Sequence, residues 1–201
     1  MTAVERHPIE VESYRIMRER VDFSKWPPGQ RDVVERMVHA TADASFAVSA
    51  RLGSEAVAAA LDALLHRAPV IVDSAMVAAG ARHLVTTCLL DEVPVAPDGS
   101  TRSAAAMALA ARRHPDGAVW VVGNAPTALA EVLALHERGD IAPAAVVGLP
   151  VGYVGAADAK AALWDGPLAS ISFTNAGERG GSAVAAAVLN ALRHLYEGDP
   201  C

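Results

Sequence analysis

The sequence predicts an α/β fold: an open, mostly parallel sheet of about five strands that is covered by helices on both faces, with a helical segment at the N-terminus. Two observations support this prediction. From residue 68 onward, short apolar runs alternate with helical stretches, whereas residues before it show only helical patterns. The runs are apolar on both faces, as is typical of parallel strands between two helical layers. A chain of 201 residues suits one domain, with 1–67 as the helical segment and 68–201 as the sheet region.

The N-terminal segment is expected to contain three helices. The first covers Ile9–Arg20 and ends near the helix-breaking sequence Trp26–Gly29. The second follows this sequence and places apolar side chains of Val33–Thr41 on one side, with the 3.6-residue period of a helix that buries one face. The third fills Ser54–His66, with the Ser54 hydroxyl as its N-cap.

The sheet region follows as strands and helices in alternation. The predicted strands are Pro69–Val72, Leu84–Leu89, Ala118–Val122, Ala144–Val147 and Leu168–Phe173. The predicted helices are Ser74–Gly80, Ser103–Arg113, Pro126–Arg138, Ala156–Leu163 and Ser182–Tyr196. In such a sheet, ligands bind at the carboxyl ends of the strands, where the loops turn into helices. We therefore expect the functional residues in these loops.

Composition and charge exclude several classes of function. A net charge of −6 and an aromatic content of 4% argue against a nucleic-acid binder. Cys88 and Cys201 form neither a disulfide framework nor a metal set, and no histidines have the spacing of metal ligands, so we expect no metal. No apolar run approaches the roughly 20 residues of a membrane span, and nothing at the N-terminus resembles a signal peptide. These features predict a cytoplasmic protein without membrane contact.

A nucleotide cofactor is not expected either. The first loop of the sheet region, Asp73–Met76, lacks the G-x-G-x-x-G pattern of dinucleotide binding, and no G-x-x-x-x-G-K-[ST] phosphate loop occurs in the chain. A nucleotide- or phosphate-dependent α/β enzyme, the first alternative, would need such a fingerprint after a strand.

Two loops place an arginine at a helix entrance. In Asp98–Ser103, a cap by Ser100 or Thr101 would put Arg102 in the first turn of the following helix. The positive charge of Arg102 opposes the helix dipole there. Together with the exposed N–H groups of that turn, however, the guanidinium can bind an anion. Gly177–Ser182 has the same chemistry in Arg179, two glycines and a capping serine. A solvated arginine and an ordinary turn remain the alternatives. In a chain of net charge −6, the two loops together predict a locally positive site for a polyanionic small molecule.

A third loop and one histidine complete the candidates. Gly123–Thr127 offers Asn124 as a helix cap, and its pattern alone favours a structural role. His39 lies on the polar side of its helix, aligned with Glu35 and Asp43. An imidazole between carboxylates stays protonated closer to neutral pH and can act as a general acid, although its position alone favours a solvated surface histidine.

Several blocks of residues resemble one known family and follow its order along nearly the whole chain. The blocks are Pro8–Ile16, Arg36–Ala40, Thr101–Ala106, Val122–Leu129, Gly148–Ala156, Arg179–Ser182 and Leu189–Leu192. Each block is weak evidence by itself, but together they are similar to the precorrin-8X methylmutase family, called cobalt-precorrin-8 methylmutase in its anaerobic branch.

The resemblance implies an isomerase of cobalamin biosynthesis. Such an enzyme moves a methyl group between adjacent ring carbons of precorrin-8X, or cobalt-precorrin-8, to give hydrogenobyrinic acid or its cobalt form. By resemblance, His39 is the catalytic residue and donates a proton or hydrogen bond to the macrocycle. The residues implied to bind the substrate are Ser13, Thr101, Arg102, Ser103, Asn124, Thr127, Gly152, Arg179, Gly180, Gly181 and Ser182.

The family resemblance also implies a homodimer with the substrate near the subunit contact, and no cofactor. From the residues alone, Ser13 lies near the apolar side of the first helix, where a small serine in a helix contact is the usual explanation. A tetrapyrrole-binding carrier without turnover remains the second alternative. A variant that lacks the His39 imidazole would separate these two functions.

Overall fold

The computed structural model describes residues 7–198 of the chain. Residues 1–6, at the start of the stretch inspected for a signal peptide, and Cys201 lie outside this part. The helices are α1 (Pro8–Arg20), α2 (Gln30–Thr41), α3 (Ser45–Ser49), α4 (Ala56–Leu65), α5 (Ala75–Gly80), α6 (Arg102–Arg113), α7 (Pro126–Glu137), α8 (Ala156–Asp165) and α9 (Ser182–Glu197). The strands are β1 (Ala50–Leu52), β2 (Val70–Val72), β3 (Thr86–Thr87), β4 (Val119–Val122), β5 (Ala145–Gly148) and β6 (Ser172–Asn175).

The strands of the described residues form one sheet in the order β1-β6-β5-β4-β2-β3. β1 pairs with β6 in the antiparallel direction, and all other neighbouring strands are parallel. The predicted α/β class with a mostly parallel sheet is confirmed. The described sheet has six strands, one more than the number expected from the sequence.

Helices cover the sheet on both faces because its central strands are apolar on both sides. In β4, Val119 and Val121 pack into one core cluster with α2, α4 and α9, whereas Trp120 and Val122 pack into a second cluster with α6 and α7. All four residues of this strand are almost fully buried. Burial of this kind contributes about 25 cal/mol for each Å² of apolar surface removed from water, so both layers stabilise the sheet.

β1 was not predicted, because the segment before residue 68 showed only helical patterns. The strand consists of Ala50, Arg51 and Leu52 and is too short for an alternating pattern to be visible. Its position in the sheet comes from tertiary pairing, since Ala50 lies opposite Asn175 and Leu52 opposite Phe173. The N-terminal segment is therefore helical except for this strand at the edge of the sheet.

Two other strands differ from their predicted bounds. The run expected at Leu168–Phe173 begins as a short 3-10 helix, and β6 extends to Asn175 through polar residues. The hydroxyl groups of these residues can be buried because backbone carbonyls accept their hydrogen bonds. The Ser172 hydroxyl donates to the Ala169 carbonyl at 3.0 Å, and the Thr174 hydroxyl donates to the Gly148 carbonyl at 2.6 Å. The run Leu84–Leu89 contributes only the two residues of β3.

Side-chain caps begin only some of the described helices. Ser74 caps α5 by accepting a hydrogen bond from Val77 N–H, but Ser54 does not cap α4, which begins after Glu55 without a side-chain cap. Within residues 7–198, no helix combines the length and the apolar character that crossing a membrane requires.

Candidate active site

The loop after β4 is held by a buried carboxylate at the carboxyl edge of the sheet. Asp73, directly after β2, accepts hydrogen bonds from the N–H groups of Gly123, Asn124 and Ala125 at 2.8–2.9 Å. Burial raises the pKa of the Asp73 carboxyl, and these donors oppose that shift. The prediction that Asn124 caps α7 is wrong: Ala125 occupies the cap position, and the Asn124 side chain is exposed.

Two threonine hydroxyls meet at the entrances of α6 and α7. Of the two predicted candidates, Ser100 and Thr101, Thr101 caps α6 by accepting from Ala104 N–H, and its oxygen lies 2.8 Å from the Thr127 hydroxyl. Both threonines are exposed. Sequence positions 26 residues apart thus present a pair of hydroxyl groups at one edge of the sheet.

Arg102 is in the first turn of α6, as the capping pattern predicted. Its Nε donates to the Val93 carbonyl at 2.6 Å and its Nη2 to that of Leu90 at 3.0 Å, although the residue is exposed. The guanidinium therefore fastens the segment before α6. Its use as an anion clamp stays a prediction, as does substrate binding by the half-buried Ser103 that follows it.

The loop after β6 connects this edge to the N-terminal helices. The exposed Arg179 guanidinium forms an ion pair with Asp43, just after α2, and donates to the Ser45 hydroxyl at 2.8 Å. A hydrogen bond of 3.1 Å from Gly152 N–H to the Glu178 carbonyl joins this loop to the one after β5. Arg179 and Gly152, far apart in sequence, are therefore brought together.

The glycine pair after Arg179 allows a close backbone approach. A Cβ atom at Gly180 would lie far inside contact distance of the Leu149 and Pro150 carbonyl oxygens. Gly181 has a φ of 124°, donates to the Leu149 carbonyl at 2.8 Å and occupies the N-cap position of α9. Ser182, expected to be this cap, is instead the first helical residue; it is buried, with its hydroxyl 3.1 Å from that of Ser74.

Lys160 is a buried charged residue beside the Arg179 loop that was not predicted from the sequence. It is 1% exposed, and its ammonium donates to Asn175 Oδ1 at 3.1 Å and to the carbonyl of Arg179. Burial lowers the pKa of Lys160 to about 8. Its burial could have been predicted from its spacing, because Lys160 lies on the same face of α8 as the buried residues Ala156 and Leu163.

The His39 ring stacks on Tyr14, a contact that no sequence pattern predicted. The ring centroids of His39 and Tyr14 are 4.3 Å apart, with an angle of 9° between the planes. Burial lowers the pKa of His39, the positive charge of Arg36 lowers it further, and Glu10 opposes both. Ser13, next to Tyr14 on α1, is half-buried.

The expectation that Glu35 and Asp43 keep His39 protonated is wrong. Glu35 is 1% exposed and accepts from Arg18 at 2.5 Å and from Arg31 at 2.8 Å. Asp43 is paired with Arg179. Both carboxylates are therefore paired with arginines: Glu35 with Arg31 one turn earlier on α2 and with Arg18 of α1, and Asp43 with Arg179.

A cleft of about 260 Å³ lies beside the Arg179 loop. Its lining residues are Val151, Gly152, Tyr153, Glu178 and Arg179. Tyr153 is 98% exposed and Val154 next to it 88%, so an apolar rim flanks the cleft. Larger depressions of about 450 Å³ and 480 Å³ lie at the end of α1 and beside α6, without His39 in their walls.

Comparisons with known proteins identify the family of the chain. Residues 8–195 match the family model described as CbiC, precorrin-8X methylmutase. The cobalt-precorrin-8 methylmutase of Methanocaldococcus jannaschii is 38% identical over 164 residues, which cover 80% of this chain and 77% of that protein. The precorrin-8X methylmutase of a Sinorhizobium species is 36% identical over 190 residues, or 90% of each chain.

A solved structure supports the same assignment. Precorrin-8x methyl mutase from Thermus thermophilus matches with a TM-score of 0.84 at 34% identity, and the match covers 96% of this chain and 98% of that one. The chain agrees with these proteins in sequence and in fold over nearly its whole length. The family resemblance of its sequence is therefore confirmed. The chain therefore belongs to the precorrin-8X methylmutase family and is an isomerase of cobalamin biosynthesis.

Proposed function

We propose that the chain converts precorrin-8X, or its cobalt-containing form, into hydrogenobyrinic acid or the cobalt form of that product. One methyl group leaves a ring carbon of the tetrapyrrole and bonds to the neighbouring carbon. Substrate and product are isomers, so no electrons enter or leave and no redox cofactor is required. His39 is the acid that assists this shift.

The observation that carries the proposal is the connection between His39 and the arginine loop. His39 lies near the end of α2, and Asp43, four residues later and just beyond that helix, is tied to Arg179 at the carboxyl edge of the sheet. An imidazole and a guanidinium are thus held by neighbouring parts of one fold. A ligand with an apolar ring and several carboxylates matches this combination of groups.

The lowered pKa of His39 fits an acid that is charged by its ligand. In the unliganded protein, burial and Arg36 favour the neutral imidazole at neutral pH. The carboxylates of a bound tetrapyrrole bring negative charge close to the ring and raise its pKa. The imidazolium then donates its proton to the macrocycle, which makes the conjugated system electron-poor while the methyl group migrates, and the proton returns afterwards. General acid catalysis of this kind contributes about 10²–10⁴ in rate.

The remaining predicted residues bind the substrate in this proposal. Arg102 and Arg179 meet substrate carboxylates, and the Thr101–Thr127 pair supplies hydrogen bonds near the entrances of α6 and α7. The backbone around Gly152 and Gly180 lies against the apolar face of the ring. The other members of this set are Ser13, Ser103, Asn124, Gly181 and Ser182.

A homodimer completes the site. Pockets for small-molecule ligands usually enclose about 300–1,000 Å³, and the cleft beside Arg179 has only about 260 Å³. Its exposed apolar rim at Tyr153 and Val154 provides a surface that a second subunit can cover. We propose that the substrate lies near this subunit contact and that the enzyme works in the cytoplasm.

The test is conversion of purified precorrin-8X, followed by its visible spectrum, with the parent protein and His39→Ala. We expect the parent to form the hydrogenobyrinic acid spectrum, and His39→Ala to bind the tetrapyrrole with turnover reduced at least 100-fold. His83→Ala is the matched control, because His83 is exposed in the loop between α5 and β3, and it should act like the parent.

The other outcomes identify what is wrong. Equal turnover by parent and His39→Ala removes His39 from the mechanism. Binding by the parent without conversion of either the cobalt-free or the cobalt form favours the tetrapyrrole carrier. Neither binding nor conversion refutes the proposed substrate.

A further inference from the structure

We propose that Tyr14 is a positioning residue, whose ring fixes the plane of the His39 imidazole so that its proton-carrying edge points at the substrate. The inference rests on the acid role proposed for His39. Tyr14 itself does not touch the ligand, because it is only 3% exposed. Its effect on the reaction passes entirely through the histidine.

The first argument is the geometry of the two rings. A centroid distance of 4.3 Å with nearly parallel planes brings one face of the imidazole into contact with the phenol ring. Turning the imidazole about its Cβ–Cγ bond would drive an edge into that ring. A half-buried histidine on one helix is thereby restricted by a buried residue of another.

The second argument is that Tyr14 is itself fixed from two helices. Nη1 of Arg36, on α2, donates to the Tyr14 hydroxyl at 3.2 Å and to Glu10 at 3.0 Å, and the latter residue is on α1. The guanidinium of Arg18 lies over the tyrosine ring, 5.3 Å from its centroid. A ring held in this way gives His39 a rigid support.

The third argument concerns what the chemistry requires. A general acid must hold its proton within hydrogen-bond distance of the accepting atom, and a displacement of about 1 Å can cost about 100-fold in rate. His39 lies in the last turn of α2, where a side chain without packing would sample several rotamers. The stack removes that freedom before the substrate arrives.

The effect of Tyr14 can be divided between its ring and its hydroxyl. Tyr14→Phe keeps the stacking surface and loses the bond from Arg36, whereas Tyr14→Leu keeps an apolar side chain and loses the aromatic face. Tyr14→Met is a second non-aromatic variant in case the leucine variant does not fold. Met17→Leu, one turn further along α1 in the partly buried shell of the core, is a volume-conserving control.

Two readouts are needed. The first is the NMR position of the His39 ring protons in the unliganded protein, assigned by their absence in His39→Gln. A stacked phenol ring shifts these resonances upfield, so we expect the parent, Tyr14→Phe and Met17→Leu to share the shift and the non-aromatic variants to lose it. The second is turnover, where the non-aromatic variants should lose about tenfold or more in kcat with KM changed less than about threefold.

The results that overturn the inference are distinct. It is refuted if Tyr14→Leu and Tyr14→Met retain the His39 resonance positions, or if Tyr14→Phe loses as much kcat as they do. A parallel loss of thermal stability and of kcat with unchanged resonances would indicate a purely structural tyrosine. If the parent does not convert the tetrapyrrole at all, the proposed function fails, while the resonances still decide whether the Tyr14 ring lies against the imidazole in solution.

Discussion

Replacing Lys160 by methionine should make the stability of the protein less dependent on pH in the alkaline range. Burial lowers the pKa of Lys160 from its ordinary 10.5 to about 8. Between these pH values the unfolded chain binds a proton that the folded protein has released, so stability increases with pH there. Below pH 8 the folded protein carries the full cost of burying the charge.

The size of the effect follows from the two pKa values. At 1.36 kcal/mol for each pKa unit, the lowering of the Lys160 pKa corresponds to about 3 kcal/mol in total, most of which is released between pH 7 and pH 10. Methionine has a similar shape and no charge. The free energy of unfolding of the parent minus that of Lys160→Met should therefore rise by about 2–3 kcal/mol over this range.

The assay is urea unfolding of both proteins at pH 7, 8, 9 and 10. Lys25→Met is the charge-matched control, because it removes the same formal charge from an exposed position. The absolute stability of Lys160→Met is not diagnostic, since the variant also loses the bonds to Asn175 and to the Arg179 carbonyl. A parent-minus-variant difference that stays constant from pH 7 to pH 10 would refute the reasoning.

Two further substitutions test the loops at the carboxyl edge of the sheet. Asp73→Asn leaves one acceptor oxygen for the N–H groups of Gly123–Ala125. Urea unfolding should therefore show that the free energy of unfolding falls by about 2–4 kcal/mol. A decrease below about 0.5 kcal/mol would contradict the role of the carboxylate. Gly180→Ala forces the backbone away from the Leu149 and Pro150 carbonyls, so displacement of the Arg179 loop should raise KM for the tetrapyrrole about tenfold or more. The exposed control variant Ala176→Ser should leave KM unchanged. Equal steady-state kinetics of Gly180→Ala and the parent would show that the loop tolerates the added side chain.

The fold could be predicted where burial on two faces leaves a continuous apolar run. β2, β4 and β5 contain only apolar residues, and each was located to within a residue or two. β6 was displaced because its buried polar residues are satisfied: Ser172 donates to the Ala169 carbonyl three residues before it, and Thr174 to the Gly148 carbonyl of β5. The Thr174 contact joins two strands, so no local sequence pattern contains it.

The candidate site shows the same division between local and distant causes. Capping by Thr101 depends on neighbouring residues and was one of the two predicted possibilities, whereas the pairing of Glu35 with Arg18 and of Asp43 with Arg179 joins elements that are separated in sequence. The helical wheel placed His39 opposite the apolar stripe of α2, but Glu35 on the same side is buried, and the wheel could not show the ring of Tyr14, which approaches from α1. Burial of Lys160 likewise requires the loop after β6 to be in place.

The antiparallel strand β1 has a consequence for dissecting the chain into fragments. In the sequence, this strand follows the helix that carries His39 and precedes all other strands of the sheet. In the sheet, its backbone pairs with the outer edge of β6. A fragment starting at residue 68 would leave that edge unpaired, and unpaired edges recruit other strands and promote aggregation. Supplying residues 1–67 as a separate peptide would therefore restore a strand together with the histidine, so solubility and activity should return in one complementation step.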